Sequence, residues 1–477
     1  MIMRTTIFFS LPMFTSKSSN ESFQMVGRII FSNVKLMLIL AGNLSLFLTK
    51  TDDLYAQSSV AKQIQTVIDK EYQSLENLYK NLHAHPELSL QEQKTATLLT
   101  QELIKAGIKV TTGIGGYGIV GVLENGPGPV VLIRTDMDAL PLKENTGADF
   151  ASNQVAKLES GKETPLMHAC GHDMHMAVWV GVSRVLTQLK KEWRGTVIFI
   201  GQPAEEKGLG ARAMLADGLF TKFPRPDYAL ALHVNSALES GKVGICSGYV
   251  LANIDAVDIL VKGKGGHGSV PQLTIDPIVL ASKMVLGFQT IISREIAPQV
   301  PALITVGSIH GGTNDNIIPD EVKLELSIRS FSDDVQKALV EKIKRTCEGI
   351  AYASGVEKQN YPVVTIRKEY TPAVYNDPAL SKKIGDNFTK LLGEEKMVVL
   401  SPEMFGEDFG WYGREKPAIP TLIYSLGSVN PEKMADAKKN SRTIPSTHSS
   451  AYLPDLKPAL QTGVLSMASA AMLLLTK

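Results

Sequence analysis

The window MHACGHDMH, Met167 to His175, places a thiol, three imidazoles and a carboxylate within nine positions. Thiolate and imidazole are the usual ligands of zinc and its first-row neighbours, and Cys170 with His172, two positions on along an irregular turn, can face one point. A polar loop whose imidazoles only cap backbone groups is the competing reading of this window, and His168 and His175 need not ligate anything. In GQPAEE, Glu205 and Glu206 stand side by side just past the apolar run TVIFI. Neighbouring side chains of extended chain point to opposite sides. One carboxylate is therefore expected to bind metal while the other faces the substrate as general base. A Glu pair in isolation is usually a solvated surface pair, so it is the position after a buried strand that gives this one meaning. His233 ends the run YALALHV, and His448 lies in the loop IPSTHSSAYLPD; each by itself reads more easily as structural than as a ligand. Together Cys170, His172, Glu206, His233 and His448 are more ligands than one tetrahedral ion takes once water is added. Two divalent ions sharing a ligand is the economical reading, with either the thiolate or a hydroxide as the bridge. Paired ions of this kind sit ~3.5 to 4 Å apart and lower the pKa of a bound water toward about 7, ready to attack a carbonyl.

The elements that must position these groups alternate in type. Two amphipathic stretches, Val60 to Leu82 and Gln91 to Ala106, flank the turn-like HPELS, and Gly107 stops the second. VVLIR, TVIFIG and YALALHV are near-continuous apolar runs of strand length, as in a sheet covered on both faces, and a helical run from His175 to Lys190 lies between the first two. The polar residues follow these strands, and open α/β sheets bind ligands at the carboxyl ends of their strands. From about Ala252 the order becomes strand, helix, strand, strand, helix, strand, a ferredoxin-like βαββαβ unit. After Arg367 the helix and strand signals of the first part return. The expected fold is thus α/β: a catalytic domain with a mixed sheet flanked by helices, in two parts at 58–251 and 366–477, interrupted by an inserted α+β domain at 252–365.

Bulk numbers narrow the function classes. At 477 residues and 44% hydrophobic, two domains are the natural expectation. Lys plus Arg number 49 against 48 Asp plus Glu with no block of like charge, which suggests neither a nucleic-acid track nor an anionic membrane surface. The expected partner is a small molecule. The three cysteines, Cys170, Cys246 and Cys347, exclude a dense disulfide framework. One pair could close, leaving Cys170 free as a ligand. Residues 1–57 read as a signal-peptide region. Arg28 and Lys35 precede the apolar run Leu36 to Leu48, which is short for a membrane span of roughly 20 residues, and a small-residue cleavage point precedes Gln57. An internal start at Met25 accounts for the unpatterned residues before it. The mature protein is then expected outside the cytoplasm, periplasmic or extracellular, without a stable membrane span.

At these motifs the sequence resembles the aminoacylase and carboxypeptidase G type metallopeptidases, in particular their amidohydrolase branch with hippurate hydrolase, indoleacetyl-amino acid hydrolases and N-acetyldiaminopimelate deacetylase. The resemblance runs from about Ile64 to the end of the chain. It rests on HPELS with Glu92, RTDMDALP, MHACGHDMH, QPAEE, ALH, GKGGHGSVP, GGTNDNIIPD, SIRS, FGEDF and THSSAYLPD, in the family's order. It implies that Cys170, His172, Glu206, His233 and His448 ligate two divalent metal ions, zinc or manganese. Glu205 is then the base that activates water and returns the proton to the leaving amine. The inserted domain is a lid that also forms a homodimer; His267 helps polarise the scissile carbonyl, and Asn316 and Arg329 hold the substrate carboxylate. Asp136 stands where other branches carry a His ligand. With Asp138 it is assigned to orienting metal-bound imidazoles from behind. The implied activity is metal-dependent hydrolysis of N-acyl amino acids or short peptides. A non-catalytic binding protein for acylated amino acids on the same fold is the alternative.

Overall fold

The computed structural model describes residues 59–475; the signal-like segment, the start at Met25 and the cleavage point lie outside them. The described chain opens with helix α1 (59–84) and, after the HPELS turn, helix α2 (Gln93–Lys105), whose buried Leu99 and Leu103 face inward. Gly107, at φ +77°, then turns the chain out of the helix, a conformation costly for residues with a Cβ. Six strands of one sheet follow: β1 (Lys109–Ile114), β2 (Gly118–Asn125), β3 (Val130–Asp136), β4 (Gly195–Gln202), β5 (Tyr228–Glu239) and β6 (Val243–Ile245). Helix α3 (His172–Gln188) connects β3 to β4. It begins at His172 itself rather than at His175, because Gly171 adopts the left-handed conformation that releases the preceding turn.

The next strands, β7 (Asn253–Lys262), β8 (Ala302–His310), β9 (Glu321–Ser330) and β10 (Val363–Thr371), form a separate sheet with helices α4 (Pro277–Thr290) and α5 (Asp333–Ala353). Its order is β8-β9-β7-β10 with antiparallel neighbours throughout, the arrangement that the βαββαβ pattern predicts. Alternating residues of β7 and β9 are buried. Val257, Ile259, Val261, Leu324, Leu326 and Ile328 pack on Leu280, Met284, Phe288, Leu339, Ile343 and Cys347 of the two helices. Both helices begin on side-chain caps, Asp276 to the amides of Ile278 and Val279 and Ser332 to that of Val335, each worth about 1 kcal/mol.

The chain then returns through helix α6 (Pro378–Leu392), strands β11 (Met397–Val399) and β12 (Thr421–Val429), and helix α7 (Leu456–Leu475). The large sheet reads β1-β2-β4-β3-β5-β12-β6-β11. β3 pairs in parallel with β4 and β5, and β5 with β12, while β1 and β2 are antiparallel additions. This mixed sheet is flanked by helices, as the apolar runs of β3, β4 and β5 predict. Helix α7 is long and apolar enough to cross a membrane, with 67% of its most apolar window buried; it packs on α3 and α6 and is a core helix of the large sheet. The two chain crossings between the sheets pair with each other, Gly248–Leu251 antiparallel to Val374–Asn376. The cysteine pair held open by the sequence does not form. All three thiols are free and buried, Cys347 within the small-sheet core and Cys246 with its Sγ 3.4 Å from the Tyr249 carbonyl.

Candidate metal centre

The parallel strands end at one edge, and their last residues deliver the acids and imidazoles. Asp136 ends β3, Gln202 ends β4 ahead of the Glu205–Glu206 turn, and His233 lies within β5. Cys170 and His172 come from the approach to α3 and its first turn. His448 is held in a left-handed conformation at φ +64°, uncommon for a residue with a side chain and more often seen in His than in most. Its amide donates to the Ala169 carbonyl at 2.8 Å, which binds the C-terminal loop to the Cys170 segment.

Two three-residue groups share one sulfur. Cys170, His172 and His233 offer ligand atoms all within 4.8 Å of one another, and so do Cys170, Glu206 and His448. Cys170 Sγ lies 3.4 Å from His233 Nε2 and 3.2 Å from His448 Nε2, and His448 Nε2 lies 3.6 Å from Glu206 Oε2. The five residues singled out as ligands are thus brought together. The expectation that Glu205 and Glu206 diverge is not met: both carboxylates lie 3.9 Å from His172 Nε2. Alternation holds only in extended chain; β4 ends at Gln202 and Ala204, at φ +51°, turns the chain so that the pair sits in a turn closed by the Gly208 amide on the Glu205 carbonyl.

The imidazoles are oriented from behind. His172 Nδ1 donates to the Asp138 carbonyl at 2.8 Å and His233 Nδ1 to the Val234 carbonyl at 2.8 Å, which turns each bare Nε2 into the cluster. The Asp138 carboxylate accepts from Ser89 Oγ at 2.6 Å and from the amides of Glu205 and Glu206 at 3.1 and 3.0 Å. One buried acid therefore fixes the whole glutamate turn. Asp136 accepts from His175 Nδ1 at 2.7 Å, and His175 Nε2 accepts from the Val234 amide at 2.9 Å. His175 is accordingly neutral, its pKa lowered to about 4 by burial.

A cation fits among these groups. His172 Nε2 and Glu206 Oε1 are buried and have no hydrogen-bond partner among the described residues, a costly state for polar atoms unless something else binds them. Burial raises the Cys170 thiol well above its usual range and the Glu206 carboxyl to about 7, and burial together with Glu407 raises Glu205. So many acids cannot ionise side by side without positive charge between them. Soft sulfur with imidazole and carboxylate is a donor set suited to zinc and its first-row neighbours.

Sequence reasoning missed the support beneath the cluster. Arg134, wholly buried, donates Nη1 to Asp136 at 2.6 Å, Nη2 to Glu407 at 2.8 Å and to Asp408 at 3.2 Å, and Nε to Gln202 at 3.1 Å. Glu205, Glu407 and Asp408 bring carboxylate oxygens within 4.8 Å of each other. Arg134 is thus the counter-charge of a buried acid group, and its partner Glu407 lies 273 positions away in sequence. The quoted segments RTDMDALP and FGEDF carry its parts, but nothing in either names the partner. A second buried charge group lies on His83, which donates Nδ1 to Asp173 at 2.6 Å and Nε2 to Glu144 at 2.9 Å.

The small-sheet residues are not drawn into the cluster. His267 is exposed on the ribbon pairing Gly266–His267 with Ile317–Ile318 and Asn316 is exposed in the turn just before Ile317; His267 Nδ1 accepts from the Ser269 amide at 3.1 Å. Arg329, on β9, is half-buried and donates Nη1 to the Met404 carbonyl. Among the described residues, no hydrogen bond joins any of the three to Cys170, Glu205 or Glu206.

Peptidase family M20/M25/M40 matches residues 132–450. The N-acetylcysteine deacetylase of Bacillus subtilis is 34% identical over 365 residues, covering 75% of this chain and 89% of that protein. The hippurate hydrolase of Campylobacter jejuni is 35% identical over 357 residues, covering 74% and 88%. Among solved structures, a dinuclear metal-binding peptidase of the M20 family from Bacillus subtilis superposes with TM-score 0.70 at 28% identity, over 85% of this chain and 99% of that one. With the resemblance carried by its motifs thereby established, the chain belongs to peptidase family M20/M25/M40 and is a metal-dependent hydrolase of amide bonds.

Proposed function

We propose that this hydrolase cleaves the amide of N-acyl amino acids or short peptides beside the amino acid's free carboxylate. The relatives point to that class: one is named as a deacetylase of N-acetylcysteine, another as a hydrolase of hippurate. Cys170, His172, Glu206, His233 and His448 would hold two divalent ions, zinc or manganese, with Cys170 common to both. The observation that supports this most is the shared sulfur of the two ligand groups. Bound there, the ions supply Lewis acidity and a water that loses its proton near neutral pH.

The rest falls to the chain's own residues. Glu205, held in its turn by Asp138, takes the proton of the attacking water on a carboxylate oxygen and returns it to the leaving amide nitrogen. Asp136, Asp138 and His175 keep the ligand imidazoles and the glutamate turn in place. Arg329 grips the substrate carboxylate with the donors that its bond to Met404 leaves over, and Asn316 adds a polar contact. His267 donates to the carbonyl oxygen as negative charge develops there, from a second copy of the chain paired through the small sheet. Exposed Leu286 and Val279 on α4 suit such a homodimer. The apolar run from Leu36 suits an exported protein that matures near Gln57.

The test is turnover of N-acyl amino acids and dipeptides with Zn²⁺ or Mn²⁺, in the wild type and in Glu205→Gln. The expected loss in the variant is about 10²- to 10⁴-fold in kcat with substrate still bound. Binding without turnover in the wild type would instead show a non-catalytic binding protein.

A further inference from the structure

The segment Met404–Asp408 joins groups that no motif links in sequence. At one end the half-buried Arg329 gives one N–H to the Met404 carbonyl and has no carboxylate partner among the described residues, which leaves most of its donors for an anion. At the other end Glu407 and Glu205 bring carboxylate oxygens within 4.8 Å. The backbone between them is fixed. The Glu403 amide donates to the Val250 carbonyl at 2.9 Å and the Ala252 amide to the Phe405 carbonyl at 2.8 Å. A Cβ at Gly406 would stand 2.1 Å from Ile254 Cδ1, and Arg134 clamps Glu407 at 2.8 Å. On this rigid stretch Phe405 is 65% exposed although residues 407–410 are buried. Its ring forgoes the stabilisation that burial gives an aromatic side chain.

In an N-acyl amino acid, one bond joins Cα to the carboxylate carbon and one joins it to the amide nitrogen. Phe405 follows the residue whose carbonyl accepts from Arg329 and stands two positions before the one whose carboxylate lies near Glu205, so the backbone that carries its ring runs from the carboxylate grip toward the amide-cleaving base, where the substituent on Cα would lie. We propose that Phe405 is a specificity-determining residue that receives the side chain of the leaving amino acid and favours an apolar one over a charged one. The inference rests on the reading above, in which Arg329 takes the carboxylate and Glu205 serves the scissile amide.

The experiment measures kcat/KM of the metal-loaded protein for N-acetylphenylalanine, N-acetylglycine and N-acetylaspartate, in the wild type, Phe405→Ala and Phe405→Leu. The wild type is expected to prefer the phenylalanine substrate. Phe405→Ala is expected to lower the phenylalanine-to-glycine ratio by about tenfold or more, and Phe405→Leu to keep most of it. A ratio unchanged within about twofold in Phe405→Ala, or a wild-type preference for aspartate, overturns the inference while leaving the hydrolase reading intact. A wild type that turns over none of the three overturns both.

Discussion

Asp136, Asp138 and His172 are wholly buried at the edge of the large sheet, the two acids each held by two or more partners and His172 by the Asp138 carbonyl, while His267 stands exposed on a two-residue ribbon of the other region and Asn316 in the turn beside it. The first group must keep ligand atoms aimed at one point, which only buried, hydrogen-bonded side chains can do at low entropic cost. The second is assigned to a substrate that arrives from solvent, and exposure leaves it free to meet one. Damage in the first region should therefore appear in folding and metal content, and damage in the second in kinetics.

The largest effect should come from Arg134→Met. It leaves Asp136, Glu407 and Asp408 buried without their counter-charge, at a cost of about 3–5 kcal/mol. Denaturant unfolding checks it, and an unchanged midpoint would erase the contrast between the two regions.

His83 provides a pH-resolved version. Burial alone would lower its pKa, but the bonds to Asp173 and Glu144 outweigh that and raise it to about 10. Its folded value thus lies above the unfolded value of about 6.5. Its contribution to stability is fully present below about 6.5 and is lost as pH rises through about 10. The gap in stability between wild type and His83→Gln should be on the order of a few kcal/mol at pH 6 and shrink toward pH 10.

In the small-sheet region, Arg329→Gln should leave the unfolding midpoint nearly unchanged and raise KM by about ten- to hundredfold if, as proposed, Arg329 provides a charge-assisted grip on the substrate. His267→Ala should change stability least, within about 0.5 kcal/mol, and lower kcat alone. A large stability loss in either variant would blur the distinction.

The two regions were also unequally legible in the sequence. Cys170 and His172 were readable because a thiol and imidazoles two positions apart need no tertiary information to suggest a metal, and the βαββαβ order follows from local periodicity. The convergence of Glu205 and Glu206 was not readable, because it depends on the left-handed Ala204, a conformation local propensity does not favour. The Arg134–Glu407 pair was hidden for another reason: only the fold brings β3 and the segment after β11 together. The open state of Cys246 and Cys347 likewise follows from distance in the fold, with one thiol beside a chain crossing and the other inside the small-sheet core.

The central claim is that one thiolate serves two ions, and metal stoichiometry in wild type and Cys170→Ser tests it most directly. Inductively coupled plasma mass spectrometry after dialysis should find about two divalent ions per wild-type chain and less than one in the variant, because both ligand groups lose their shared member. Two ions retained in Cys170→Ser, or a single ion in the wild type, would contradict it.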